Sequence, residues 1–407
     1  MKGFISAFLL LFSIGSWAQI HLTPLAVEER GLLKMDDSVH VSLLPLSPGF
    51  DVKNQLGADS MDVLEIHLMG ALNAGIVTAP SLGGNAFSSV GVNAQLSVQN
   101  RFYAKARYAP VLGILPEYLQ QWSDSLGILP GVGQATNEGG LWLGHYYTGR
   151  VGYNANEHFS FELGRGKHFW GDGYRSLIIS DNAAPFPYFK LSTKVWKVKY
   201  VNLWTQQRDL TDIDVSLKDA RRKFTTLHAL SWQVSKRFNL SFYEMVVWQA
   251  KDTLSNRGVD INYLNPIIFY RPVEFALGSA DNVLIGMSWR WEMNANNQLY
   301  GQIILDEFLL QELKNRDGWW ANKFGIQLGS KHFDFITPGL HFFNELNLAK
   351  PFTYTHGSVL QAYGNQNQSL AHPLGTNFVE FINGWRYERD NWYIKQQWTW
   401  AIFGRDR

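Results

Sequence analysis

The chain contains no cysteine in 407 residues. That excludes disulfides, thiolate metal sites and a cysteine nucleophile. Beyond the N-terminus there is no apolar run near the ~18 residues of a transmembrane helix. Charged residues are also scarce, 17% of the chain against the ~25% usual in soluble proteins. With 36 basic and 35 acidic residues, no overall field favours nucleic acid, and no nucleic-acid partner is expected. Catalytic signatures are missing too. The 11 histidines form no His-Glu-x-x-His, and there is no Gly-x-Ser-x-Gly elbow. Neither a metal nor a cofactor is expected, and nothing demands an enzyme. Paired carboxylates for glycoside hydrolysis are defined by their spatial separation, which leaves no mark in sequence.

What is abundant is aromatic: 16 Trp, 17 Tyr and 26 Phe make up 14% of the chain. Such enrichment suits the interfacial girdles of a membrane barrel. A secreted β-sandwich or propeller with an aromatic core is the competing architecture. Residues 1–18 read as a signal peptide, with Lys2 as the n-region charge, Phe4–Ile14 as the apolar stretch and Ser16-Trp17-Ala18 before the cut. Residues 19–59 carry Pro24, Pro45 and Pro48 and no sustained period, an irregular periplasmic lead-in.

From residue 60 to 407 the pattern has period two. Val283, Ile285, Met287, Trp289, Trp291 and Met293 alternate with Asn282, Leu284, Gly286, Ser288, Arg290 and Glu292. Similar alternation is found at Leu64–Leu68, Val90–Ala109, Leu141–Tyr153, His158–Gly166, Tyr188–Thr193, Val195–Thr205, Phe224–Ser235 and Phe238–Gln249. It returns at Gln298–Glu307, Trp319–Lys331, Phe333–Leu348, Asn377–Tyr387 and Asn391–Phe403. Ala109–Gly140, Gln206–Arg222, Leu254–Ala280 and Ala349–Gly375 read as long loops. A strand with one apolar face decides little by itself. Many of them in an exported chain imply apolar faces to lipid and polar faces inward. The expected fold is all-β: an antiparallel transmembrane outer-membrane β-barrel of roughly 16–18 strands with long extracellular loops. No repeat at a propeller's period is present, which weakens that rival.

Three segments could carry chemistry. The richest, Gly164–Pro187, offers Trp170 and Tyr174 as flat faces for sugar rings. Asp172, Asp181 and Asn182 could accept from hydroxyls, while Arg165, Lys167, His168 and Arg175 could meet acidic sugars. The same residues suit a loop that folds into the barrel and braces its wall through Arg–carboxylate pairs, and composition favours neither role. Asn262–Asp281, with Arg271 and Glu274, has no nucleophile–base pattern and reads as an ordered loop at the mouth. In Ser369–Phe378, His372 precedes Pro373, where a lone histidine more often serves as a structural hydrogen-bonder.

Taken together, Phe169-Trp-Gly-Asp-Gly-Tyr-Arg-Ser-Leu177 with Ser180-Asp-Asn-Ala183, Leu264–Phe275 with Gly278–Asn282, and Leu370–Phe378 resemble the Wzi family of capsule-assembly outer-membrane proteins. The likeness is to its Bacteroidetes branch, which includes the RemB gliding-motility proteins, and it is weak before Gly164. It implies a monomeric lectin-like barrel that retains capsular or extracellular polysaccharide at the cell surface, embedded in outer-membrane lipid and inserted by the barrel-assembly machinery. A gliding or adhesion role is the alternative, and a diffusion porin a further one. The resemblance places Trp170, Asp172, Arg175, Asp181, Asn182, Arg271, Glu274 and His372 in the family's recurring loops, with bracing expected of Arg271 and Glu274. Family members run on past the equivalent of Arg407, so either Asn391–Phe403 is the last strand or the barrel lacks an element.

Overall fold

The structure is a computed structural model that describes residues 63–77, 83–99, 101–211, 215–251, 257–266, 281–306, 323–389 and 392–404. The lead-in, the signal segment, Arg271 and Glu274 lie outside these residues.

Period-two sequence becomes extended chain because only there do alternate side chains leave on opposite faces. The first strands are β1 (Val63–Val77), β2 (Gly83–Val98) and β3 (Phe102–Ile114). Helix α1 (Glu117–Leu126), β4 (Ile128–Leu129) and β5 (Gly133–Glu138) follow, then β6 (Leu141–Asn154), β7 (Phe159–Gly166) and β8 (Phe186–Val195). The far wall comprises β9 (Val198–Asp209), β10 (Arg221–Ser235), β11 (Phe238–Gln249), β12 (Asn282–Asn294) and β13 (Asn297–Leu305). It continues through β14 (Phe324–His332), β15 (Leu340–Ala349), a tiny hairpin of β16 (Gly364–Asn365) and β17 (Gln368–Ser369), β18 (Phe378–Arg389) and β19 (Trp392–Phe403). One seventeen-stranded sheet takes in all but the β16–β17 hairpin, and its paired strands are antiparallel.

Successive wall strands are joined by short turns at one end and long connections at the other, as a membrane barrel requires. On β6, Leu141, Leu143, Tyr147, Val151 and Tyr153 are exposed while Trp142, Tyr146 and Gly152 are buried. On β12, Ile285 and Trp291 are exposed while Leu284 and Arg290 are buried. Charge is buried and hydrocarbon exposed, the inverse of a water-soluble sheet. Leu163, Phe189, Phe242, Leu328, Leu346 and Phe381 continue the outer apolar belt. Phe102, Tyr153, Phe159, Trp196, Trp291 and Trp392 ring the short-turn rim as an aromatic girdle. The sheet coils: inward residues of β8 and of β18 belong to one buried cluster, which also holds Leu227, Tyr243 and Ile304 from the strands between.

Two expectations need correction. Ala109–Gly140 is not a loop: β3 runs to Ile114, and α1 and a hairpin follow. Its proline and glycine mark a helix instead, Pro116 at the N-cap and Gly127 at the left-handed C-cap (φ 65°). The β8–β9 turn is at Trp196 (φ 53°), so this tryptophan does not alternate within a strand.

Leu328 is half exposed at the centre of β14. Leu328→Arg should therefore lower the free energy of folding into vesicles by about 2–4 kcal/mol, read from urea titrations of tryptophan fluorescence. An unchanged midpoint would show that this face does not meet lipid.

Candidate functional site: two loops plugging the barrel

At the long-loop end the lumen is occupied by the chain itself. Residues 167–185, between β7 and β8, turn inward and form a small hairpin. Trp170 and Ile179 make an isolated bridge, with the Trp170 N–H donating to the Ile179 carbonyl at 3.0 Å. The Ser176 hydroxyl donates to the Trp170 carbonyl at 2.5 Å and closes the tip. The glycines flanking Asp172 are needed for close approach. Gly171 has φ +136°, and a Cβ on Gly173 would stand 2.4 Å from a carboxylate oxygen of Glu345.

That carboxylate is the anchor of the tip. Glu345, on β15, accepts the Tyr174 and Arg175 backbone N–H groups at 2.6 and 2.9 Å, together with the Tyr300 hydroxyl at 2.9 Å. Gln302 receives the Leu177 N–H at 2.7 Å and donates to the Trp170 carbonyl at 3.0 Å, and Gln327 donates to the Arg175 carbonyl at 2.9 Å. Charge is paired as well. Arg290 meets Asp172 at 3.3 Å, and Arg175 meets Glu380 of β18 at 3.3 Å.

Residues 350–377, the second loop, lie over the first. Leu370 and Ala371 carbonyls accept from the backbone N–H and hydroxyl of Ser180, and the Ser369 carbonyl accepts from Asn182 at 3.1 Å. The Tyr354 hydroxyl donates to the Leu177 carbonyl at 2.9 Å. His372 is fully buried, stacked on Phe378, and its Nε2 lies 2.8 Å from the second oxygen of Glu380. Glu380 thus joins both loops to the wall.

The hairpin β16–β17 performs a separate task. Strands β7 and β8 are short, leaving a notch in the wall between β5 and β9. The Arg208 backbone exchanges bonds with the Asn365 side chain (3.0 Å) and the Gln366 N–H (2.8 Å). On the other side, Gln366 and Gln368 accept the Gln134 and Gly131 N–H groups at 2.9 and 2.6 Å. The notch is sealed largely by side-chain amides.

The structure therefore gathers Asp172, Tyr174, Arg175 and His372 around Glu345 and Glu380. Trp170 is only 2% exposed and stacks on Tyr243, so no sugar ring can reach its face. Tyr174 stacks on Phe343 at 5.6 Å. Lys167 donates to the Asp181 carbonyl at 2.9 Å, at the base of the hairpin. Arg165 stands apart: paired in register with Gly149, it points outward and lies over the Tyr147 ring at 4.4 Å. The partners that sequence reasoning missed (Glu345, Glu380, Arg290, Gln302, Gln327) all occupy inward positions on strands. Their only sequence signal was polarity at the alternate positions. Among the described residues no trio of His, Asp and Glu is placed to hold a metal ion.

Burial holds His372 below the ordinary histidine range, against the pull of Glu380. His168, buried against Tyr188 and Phe186, is pushed down to about 3 by burial. Both are neutral in the folded plug, so their contribution is complete above pH ~6.5 and lost as the unfolded chain takes up protons below it. Unfolding free energy should fall by up to about 1.4 kcal/mol per pH unit per histidine on acidification from pH 6.5 towards 4.5. His168→Phe should flatten this slope; a urea midpoint equal at pH 7.5 and 4.5 would contradict it. Arg175→Leu leaves Glu380 with a reduced set of partners and should cost about 3–5 kcal/mol. The Arg175→Leu/Glu380→Leu double variant should lose less than the two single losses summed, measured in the same titrations.

No family model matches the chain, and no curated protein matches it in sequence. Among solved structures it is similar to Wzi of Escherichia coli, an outer-membrane protein involved in group 1 capsule assembly and a carbohydrate-binding β-barrel. That likeness has a TM-score of 0.51 at 13% identity and covers 84% of this chain and 70% of that one. OmpF of Salmonella typhi aligns at TM-score 0.44 and 9% identity over 85% and 94% of the two chains. OccK8 (OprE) of Pseudomonas aeruginosa aligns at 0.39 and 14% over 84% and 94%. The likeness to Wzi bears on architecture, and the fold of this chain is that of an outer-membrane β-barrel.

Proposed function

We propose that the chain is an outer-membrane barrel that retains polysaccharide at the cell surface, reached through a cleaved signal peptide. The observation that carries this reading is the plug that fills the lumen at the long-loop end. A diffusion porin needs a continuous aqueous path, whereas here residues from β8 to β18 and both loops pack as one apolar interior across the barrel. A second cluster of Val111, Leu115, Leu129, Trp142 and Tyr146 fills the sector under α1. A barrel plugged at its long-loop end presents its loop surface to a ligand arriving from that side, and the similarity to a carbohydrate-binding barrel supports the same reading.

With Trp170 buried, the aromatic platform falls to another residue. Trp122 on α1 is 41% exposed at the long-loop end. Nearby, the Asn137 amide donates to the Asp124 carboxylate at 2.8 Å, and both are solvent-exposed polar groups suited to sugar hydroxyls. Aromatic stacking plus oriented acceptors is the usual chemistry of sugar recognition.

Trp122→Ala should weaken binding of the cell's own surface polysaccharide by about 1 kcal/mol or more without shifting the urea midpoint, and deletion of the gene should release capsule into the medium. Capsule that stays fully cell-associated would overturn the proposal. Stable, large conductance in planar bilayers would favour the porin instead, and loss of spreading with unchanged capsule the gliding role.

A further inference from the structure

The inner wall on the side of β3 and β6 carries cations that the plug does not use. Lys105 and Arg150 are directly opposite in the β3–β6 register, and Arg107 lies on the same inward face two residues along. Like charges at a directly paired position repel across about 5 Å and destabilise the sheet. A wall keeps such a pair when something neutralises it.

The wall itself does so only in part. Glu162, on β7, is the acid nearest to Arg150, at 3.9 Å from Nη1. Its oxygens are already occupied by Lys190 at 2.5 Å, Tyr103 at 2.6 Å and Tyr188 at 2.7 Å. Arg150 Nε and Nη2 and Arg107 Nε are buried and have no acceptor among the described residues. Arg107 lies over the Tyr146 ring at 5.5 Å, and Lys167, at the base of the plug, over the same ring at 5.5 Å. Among the described residues, neither Lys105 nor Arg107 has a carboxylate within ion-pair distance. On β1, Glu65 is placed two strands away, in register with Gln95.

All three side chains are part-exposed on the inner wall, although Arg150 Nε, Arg150 Nη2 and Arg107 Nε are themselves buried. We propose that Lys105, Arg107 and Arg150 form an anion-binding site on the inner wall, distinct from the loop surface, that takes the acid groups of an anionic saccharide chain. Two guanidinium groups and an ammonium in a row match carboxylates or sulfates spaced along a flexible chain, through charge-assisted hydrogen bonds. The inference rests on the polysaccharide reading and assigns its ligand a charge.

The test uses full-length protein in detergent, with oligogalacturonate, heparin oligosaccharide and neutral dextran as probes. The double variant Lys105→Gln/Arg107→Gln spares the Arg150–Glu162 contact. Heat-modifiable gel mobility confirms that it folds, and Lys218→Gln/Lys251→Gln, at exposed positions, is the charge-matched control. The expected result is acid-selective binding that weakens at least tenfold in the double variant and with added salt, with the control unchanged. Anionic binding untouched by the double variant, or binding of dextran alone, would overturn the site while leaving the polysaccharide reading in place. Failure of the wild type to bind any saccharide, the native surface polysaccharide included, would sink that reading itself.

Discussion

Two carboxylates on neighbouring strands, Glu345 and Glu380, hold the plug to the wall. A buried carboxylate is tolerable only when its lone pairs are filled and its charge is met. Glu345 fills its own with backbone N–H groups from the inward hairpin, and so dictates where residues 174 and 175 must sit. Glu380 meets its charge with Arg175 and caps its other oxygen with His372. Both requirements are satisfied by one arrangement of the two loops. The glycines beside Asp172, the burial of Trp170 and the stacking of His372 on Phe378 accompany that arrangement.

The interior then divides into two environments. Toward the long loops it is packed like the core of a soluble protein, with Leu177, Ile178, Met245 and Ile304 fully buried. Toward the short turns the inward positions carry Lys105, Arg150, Lys190 and Glu162. A barrel wall insulates its contents from lipid, so one cylinder can hold an oily half and an ionic half at little mutual cost. The loop surface and the ionic wall are consequently separate places where a ligand could be met.

Much of the wall was legible in the sequence because lipid on one side and protein on the other impose strict period-two alternation. The turn at Asn294–Asn297 and the hairpin around Lys236 were readable from turn chemistry. Helix α1 was not, since Pro116 and Gly127 punctuate loops and helix ends alike. The loop containing Trp170 stood out by composition, but its burial did not. What buries it are Gln302, Gln327 and Glu345, each 125 or more residues away, whose polarity suits an aqueous lumen as well as a plug. Arg165 shows the same limit: parity alone sends it outward, and the sequence segment suggested it belonged with Lys167.

The amide-sealed notch above β7 and β8 has a temporal side. Its contacts join residues 232 and 237 positions apart, Gln134 to Gln366 and Gly131 to Gln368. A hairpin ladder closes between near neighbours and forms early, while such distant closure must wait for nearly the whole chain. Until residues 364–369 arrive, a nascent barrel carries a gap in its side with the backbone of Arg208 unmet on that edge. The wall on that side is therefore completed only once residues 364–369 are in place.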